Sequence, residues 1–397
     1  MTEAVLIDIV RTASGKGKPG GALSGMHPID LMAGVLQSLL GRVGIDPAEV
    51  DDVILGCVTQ AGEQAGNLAR FAVLGAGLPE SVPATTINRA CGSSQQAVHF
   101  AVQAVKSGAS DIVIAGGVES MSRVPIPTAA MGRDARGTMA RARYPDGFTS
   151  QGVAAELVAD AWKLARSELD SYSARSHQRA ARARASGWFD HEIVPVTVTD
   201  ASGSERSHTI DETVRAGTTA ESLAALTPVF ATEAERAVRP HLDWRVTAGT
   251  SSPLTDGASA ALIMSGEAAQ RLGLTARARF VAGTVAGADP LLMLTAPIPA
   301  TRRVLERAGL GLADLAAYEV NEAFAPVPLA WCRELDADPD RLNPCGGAIA
   351  LGHAIGASGT RLLATLLNHL ERTGGRYGLQ TMCEFGGMAN AMVIERL

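Results

Sequence analysis

The chain has 397 residues, more than a single hydrophobic core ordinarily serves, so two or more packed units are expected. Apolar residues make up 46% of it and charged ones 19%, as in a well-buried globular protein, and its 42 glycines point to tight turns and close backbone packing. A formal net charge of −6 argues against a nucleic-acid partner, although a local basic pocket for a phosphorylated ligand remains compatible with it.

In chain order, residues 5–10 read as a buried strand. Asp8 interrupts that run and no basic segment precedes it, so it is not an export signal. No apolar stretch approaches membrane-spanning length, and a soluble cytoplasmic protein without a membrane partner is expected. The five cysteines (Cys57, Cys91, Cys332, Cys345, Cys383) form no CxxC pair, which suits a reducing compartment. The apolar spacing predicts a helix over Pro28–Val43 that ends near Gly44, then a strand over 53–58. A second helix is predicted over 94–106 and a strand over 111–115, ending in Gly116-Gly117. Cys91 is thereby placed at a turn entering a helix N-terminus, where unpaired N–H groups and the helix dipole favour a thiolate.

From 123 to 245 the texture changes. Residues 123–148 are rich in Arg, Gly, Pro and Met without periodicity, residues 152–186 read as two helices, and a strand is predicted over 193–198. This section reads as an insertion over the body, and such excursions commonly carry ligand contacts. Regular patterning returns at 259–264. A glycine-rich turn and helix over 352–370 then lead through Gly374-Gly375 to strands ending at Val393-Ile394. That echoes the turn, helix, glycine and strand around Cys91, and predicts two similar α/β halves with catalytic groups on loops where they meet.

Four short stretches carry the chemistry. They are Asn88-Arg89-Ala90-Cys91-Gly92-Ser93-Ser94, Asn321-Glu322-Ala323-Phe324, the run 343–359 containing Gly352-His353-Ala354, and Cys383-Glu384-Phe385-Gly386-Gly387. Taken alone, a Cys is usually a small buried hydrophobe and a His usually structural. Here two thiols, an imidazole and a carboxamide stand mostly beside small residues. No metal-binding spacing of His or carboxylates occurs, no GxSxG elbow, and the glycines around His353 make neither a P-loop nor GxGxxG.

Over nearly its full length the chain resembles the thiolase family, on the strength of these four stretches. The resemblance implies a layered αβαβα thiolase fold. Residues 1–122, continued by 246–274, would form one half, 275–397 the other, and 123–245 an inserted loop domain. It implies that Cys91 takes up the acyl group, that His353 activates it and serves an oxyanion site, that Cys383 moves the α-proton, and that Asn321 holds an oxyanion-site water. Coenzyme A and acyl-CoA would be substrates, with no bound cofactor. Ser252, in a loop like the family's TAGN-x-S, Arg215 and Phe324 would contact CoA. A homodimer or homotetramer is expected, with 123–148 supplying contacts.

Departures from the family pattern bear on the substrate pocket. Ser94 follows Cys-x-Ser where Gly is usual, as in thiolases of bulky or steroid-derived acyl-CoAs. Cys345 replaces an Asn, Ala354 a Pro, and Phe385 a Gly whose N–H helps an oxyanion hole. A Phe there places a ring beside the reacting carbons and resists positive φ. The function implied is 3-ketoacyl-CoA thiolysis or the reverse Claisen condensation. The alternatives are a biosynthetic acetoacetyl-CoA-forming thiolase and a weakly active acyl-CoA-binding relative. A ketoacyl synthase is disfavoured because Cys383 stands where a second His belongs.

Overall fold

The computed structural model describes residues 2–145, 148–199 and 203–397. Nine strands form the main path of one sheet: β1 (Ala4–Thr12), β2 (Asp52–Gly56), β3 (Ala84–Ile87), β4 (Ile112–Ser120), β5 (Thr255–Ser265), β6 (Ala278–Gly287), β7 (Leu315–Val320), β8 (Tyr377–Glu384) and β9 (Met388–Arg396). Their order is β7-β8-β9-β6-β1-β5-β4-β2-β3. The main helices are α1 (Pro28–Val43), α2 (Leu68–Gly75), α3 (Ser93–Ser107), α4 (Gln151–Ala161), α5 (Arg166–Ala185), α6 (Pro297–Ala308), α7 (Pro326–Leu335) and α8 (Ser358–Thr373).

The echo seen in the sequence is a repeat of topology. In the first half β2 runs parallel to β4, β4 antiparallel to β5, and β5 antiparallel to β1. In the second, β7, β8, β9 and β6 repeat those relations. The halves join where β1 pairs antiparallel with β6 at Val5–Arg279 and Leu6–Ala278. Residues 255–265 return after the insertion to pair with both β1 and β4.

Three apolar clusters stack through these layers. One packs α1 and α2 on one face of the first half, one packs α6 and α7 on the second half, and the middle one buries α3 and α8 between both. Strand alternation sorts side chains among them: Val5 and Ile7 face the α1 side while Ala4 and Leu6 face the middle. A bulge between Leu6 and Asp8 then shifts the phase, so Val10 faces α1 and Ile9 the middle. Ile7 is the unpaired residue of the bulge, and Asp8, which pairs with Leu262 just beyond it, meets Arg42 and Arg277.

The fourth strand runs on through Gly116-Gly117 instead of stopping there. Both glycines lie at close approaches: a Cβ on Gly116 would sit 2.3 Å from Ser259 O, and one on Gly117 2.1 Å from Gly356 O. The excursion predicted as irregular holds a 3₁₀ turn, Ile126–Ala130, and a short helix, Gly137–Arg143. Met131 and Met139 on it are almost fully exposed.

Candidate active site

Cys91 follows β3, at the C-terminal edge of the first half, on a hydrogen-bonded elbow. Asn88 Oδ1 accepts from Ala90 N at 2.8 Å, and Ser93 Oγ accepts from Arg89 N while donating to Ala90 O. The turn forces Ala90 to φ 45°, a left-handed conformation that a non-glycine residue adopts at a cost of about 1 kcal/mol or more. Gly92 is needed for space: a Cβ there would meet Glu384 Oε1 at 1.9 Å and Asn390 Oδ1 at 2.8 Å. Met121, Ile355 and Met382 pack around the thiol.

The predicted thiolate is not the resting state. Helix α3 does begin just beyond, but burial dominates and, with Glu384 adding to it, pushes the Cys91 thiol up to about 12. Cys383, near the end of β8, is raised well above the ordinary range by burial, then by Cys91 and Glu384. Asn321 immediately follows β7. Because β7 and β8 are parallel and Val320 pairs with Thr381, Asn321 is delivered beside the Cys383 end of the sheet. Its N–H donates to Thr381 O at 3.1 Å.

His353 lies in the loop before α8. Its Nδ1 is 2.6 Å from Ser358 Oγ, and that hydroxyl donates to Ala354 O at 2.9 Å. With the hydroxyl hydrogen so engaged, Ser358 can only accept, which places the imidazole proton on Nδ1 and makes Nε2 an acceptor. Nε2 is 3.4 Å from Asn321 Nδ2. Burial and Arg361 depress the imidazole to about 3, so it is neutral. The resting pair is therefore thiol and neutral imidazole.

Two buried glutamates hold these loops in place. Glu119 accepts from Val58 N, Thr59 N, Gln64 Nε2 and Gly356 N. Val58 O in turn accepts from Asn88 Nδ2, so the Cys91 elbow and the His353 loop hang from one carboxylate. Glu322 accepts from Tyr172 Oη, Ser176 Oγ, Asn343 Nδ2 and Ile349 N, which ties α5 to the run leading to His353.

A cleft of about 380 Å³ is lined by Lys16, Lys18, His177, Thr213, Arg215, Ala248, Gly249, Ser251, Pro253 and Leu254 among others. Arg215 lies where a CoA contact is expected. Ser252 stands between the lining residues Ser251 and Pro253, with its N–H on Ala323 O. Phe324 pairs with Ser251 and sets its ring edge-on to Phe230 at 5.8 Å. Leu254, at the end of this wall, pairs through its backbone with His353. Lys16 and Lys18 are two of only four lysines in the chain, a signal that the sequence reading passed over.

The three residues expected at the substrate pocket have different surroundings. Ser94 is fully buried in α3, its Oγ accepting from Thr360 N, so it braces α3 against α8. Cys345 packs with Ala180, Phe189 and Leu351, with its sulfur 3.7 Å from His369 Nδ1, in a cluster separate from that of Cys91. Phe385 forms the tip of the β8–β9 hairpin and is half exposed. The positive φ angles fall on Gly386 and Gly387 instead, which is why a Phe fits before them. All five cysteines are free, and among the described residues no cluster of His, Cys, Asp and Glu is placed to hold a metal.

The thiolase N-terminal domain model matches residues 4–267 and the thiolase C-terminal domain model residues 274–396. The chain belongs to the thiolase family. It is an acyltransferase of that family. A steroid 3-ketoacyl-CoA thiolase of Mycobacterium tuberculosis is 48% identical, covering 100% of this chain and 95% of that protein. A β-ketoadipyl-CoA thiolase of Escherichia coli is 45% identical over 100% of both chains. The crystal structure of the Bacillus anthracis acetyl-CoA acetyltransferase superposes with a TM-score of 0.89 at 38% identity, covering 100% of this chain and 99% of that one. A thiolase fold is therefore shown.

Proposed function

We propose that this thiolase cleaves 3-ketoacyl-CoA, or runs the reverse condensation, through an acyl group carried on Cys91. The observation that carries the reading is the placement of His353: its proton is held on Nδ1 by Ser358, and Nε2 is the acceptor, facing Asn321 Nδ2. In thiolysis the Cys91 thiol gives its proton to His353 Nε2 and its sulfur attacks the 3-keto carbon. The C2–C3 bond breaks, its electron pair stays on C2 as the acetyl-CoA enolate, and Cys383 gives C2 its proton. An incoming CoA thiol then returns a proton to Cys383 and takes the acyl group, and Cys91 leaves with the proton held on His353. Protonated Nε2, with Asn321 beside it, supplies hydrogen-bond donors for the thioester oxygen as negative charge develops.

Coenzyme A is assigned to the cleft of Lys16, Lys18 and Arg215, where three cations suit its phosphates and the 251–254 wall leads the thiol end towards His353. The acyl class is assigned to 3-ketoacyl-CoAs, ring-bearing ones included, because the relatives named above act on steroid and ketoadipyl thioesters. The unit boundaries are assigned at 122, 245 and 274, and the protein to the cytoplasm. A homodimer is assigned through the open edge of β3, flanked by exposed Phe71, Leu74 and Phe100, with Met131 and Met139 available for a tetramer contact.

Incubation with a 3-ketoacyl-CoA and peptide mass mapping tests the acyl acceptor, with the adduct expected on Cys91. In Cys383→Ala the adduct should still form from an acyl-CoA, while deuterium exchange at the acetyl-CoA methyl is lost. An adduct on Cys383, or exchange that survives, would overturn the roles.

A further inference from the structure

Glu384 follows Cys383 at the end of β8 and is fully buried, yet neither of its oxygens has a hydrogen-bond partner. Asn390 faces it from β9. The Asn390 amide nitrogen donates to Gln96 Oε1 at 3.0 Å and to His99 Nδ1 at 3.2 Å, so its orientation is fixed and its oxygen points the other way. That oxygen is also unpartnered. Glu384 Oε1 and Asn390 Oδ1 both lie within 2.8 Å of one point, the place where Gly92 lacks a Cβ. Two buried acceptors thus converge beneath the Cys91 elbow; the Asn390 backbone N–H is turned towards the carboxyl but makes no hydrogen bond of normal geometry with it. Left so, each would carry the full penalty of an unmade hydrogen bond. One proton satisfies both.

We infer that Glu384 is a positioning residue that works as a neutral carboxylic acid, donating its O–H to Asn390 Oδ1 and keeping the floor of the Cys91 elbow uncharged. The inference rests on the thiolase reading for its purpose, since an anion at this place would oppose the thiolate of Cys91 in one half-reaction and that of Cys383 in the other. Every ionisable neighbour acts in a definite direction. Arg89, on the elbow, is the cation that favours the ionised form, and it makes no hydrogen bond to the carboxyl. Cys91 on the elbow and Cys383 on β8 are both pushed up by Glu384, so its ionisation and theirs are mutually unfavourable. His99, behind Asn390 on α3, is depressed to about 4 by burial and is neutral. Gln96 and Asn390 carry no charge. Burial outweighs Arg89 and raises the carboxyl to about 8. Above that pH the charge appears and the two thiols become harder to ionise.

The test compares wild type with Glu384→Gln, in which a carboxamide N–H replaces the O–H and cannot ionise. Iodoacetamide alkylation rates of Cys91 and Cys383 are measured on the whole enzyme without CoA, from pH 6.5 to 9.5, with each site resolved by peptide mapping. The variant-to-wild-type rate ratio should be near one at pH 6.5 and rise to about tenfold at pH 9.5, one pKa unit being a tenfold change in thiolate. A ratio constant with pH would mean that Glu384 only packs, and would overturn the inference. Should Glu384→Gln not fold, Glu384→Met, also unable to ionise, must give the same pH-dependent ratio. If Cys91 proves not to be the acyl acceptor, the ratio at Cys383 still decides the matter, so the two readings fail separately.

Discussion

Glu322 and Glu384 are both glutamates buried at the edge of the sheet, each one residue beyond a group assigned to the chemistry, yet their surroundings are opposite. Glu322 accepts four hydrogen bonds from three segments of the chain, and Glu384 accepts none. A buried carboxyl group ringed by donors has its hydrogen-bonding capacity met and becomes a staple. One without donors costs several kcal/mol as an anion and therefore binds a proton. The contrast separates what holds the site from what the site must keep neutral: residue type and burial are the same, and only the donors differ.

The largest effect that would sharpen this contrast is at the thiol itself. Cys91→Ala should lower kcat by roughly 10⁵-fold, as loss of a nucleophile does, while Tm stays within about 2 °C, because a small buried side chain of low polarity is replaced by another. A large drop in Tm would make Cys91 structural. Next, Glu322→Ala should lower unfolding free energy by about 3–5 kcal/mol in denaturant titration, since four donors lose their acceptor. A change under about 1 kcal/mol would erase the distinction between the two glutamates.

The pH dependence of stability has a sign that differs by group. Glu384, raised to about 8, adds stability that is full below the unfolded carboxyl value and is lost as pH climbs to 8. Glu384→Gln should therefore gain on wild type between pH 5 and 9, on the order of 2 kcal/mol by thermal unfolding. His353, depressed to about 3, behaves oppositely: its contribution is present above pH 6.5 and is lost as pH falls towards 3. Arg215→Ala should raise KM for CoA roughly tenfold with kcat held, as the loss of one phosphate contact would. Smallest of all, Phe385→Gly should change kcat/KM by less than about threefold across short, long and ring-bearing substrates, given the half-exposed ring. A tenfold selective change would place that ring on the acyl path.

Much of the fold was legible because strand alternation and helical spacing are local properties. The helix Pro28–Val43 and the two helices of the insertion lie within a residue or so of where their patterns put them. The four motifs could be read because glycine-rich surroundings mark close approach. What escaped the sequence depended on partners remote along the chain. The bond of the Ser94 hydroxyl to Thr360 N and the packing of Cys345 with Ala180 and Phe189 join residues far apart in the chain. The helix start beyond Cys91 suggested a thiolate, but a dipole effect worth about 1 kcal/mol cannot offset full burial. Glu384 reads as an ordinary charge, and only three-dimensional neighbours reveal the missing donors.

The Glu119 carboxylate has one more consequence. Gly356 hangs from it on one side, Val58 and through it Asn88 on the other. The spacing of thiol and imidazole, groups more than 250 residues apart in the chain, is thereby gauged by three short polar links and not by the stiffness of a sheet. A gauge of that kind tolerates slack elsewhere. Loops, helices and the whole insertion can drift in sequence and position between related chains, while the working distance is reset each time the same four N–H groups find one pair of oxygens.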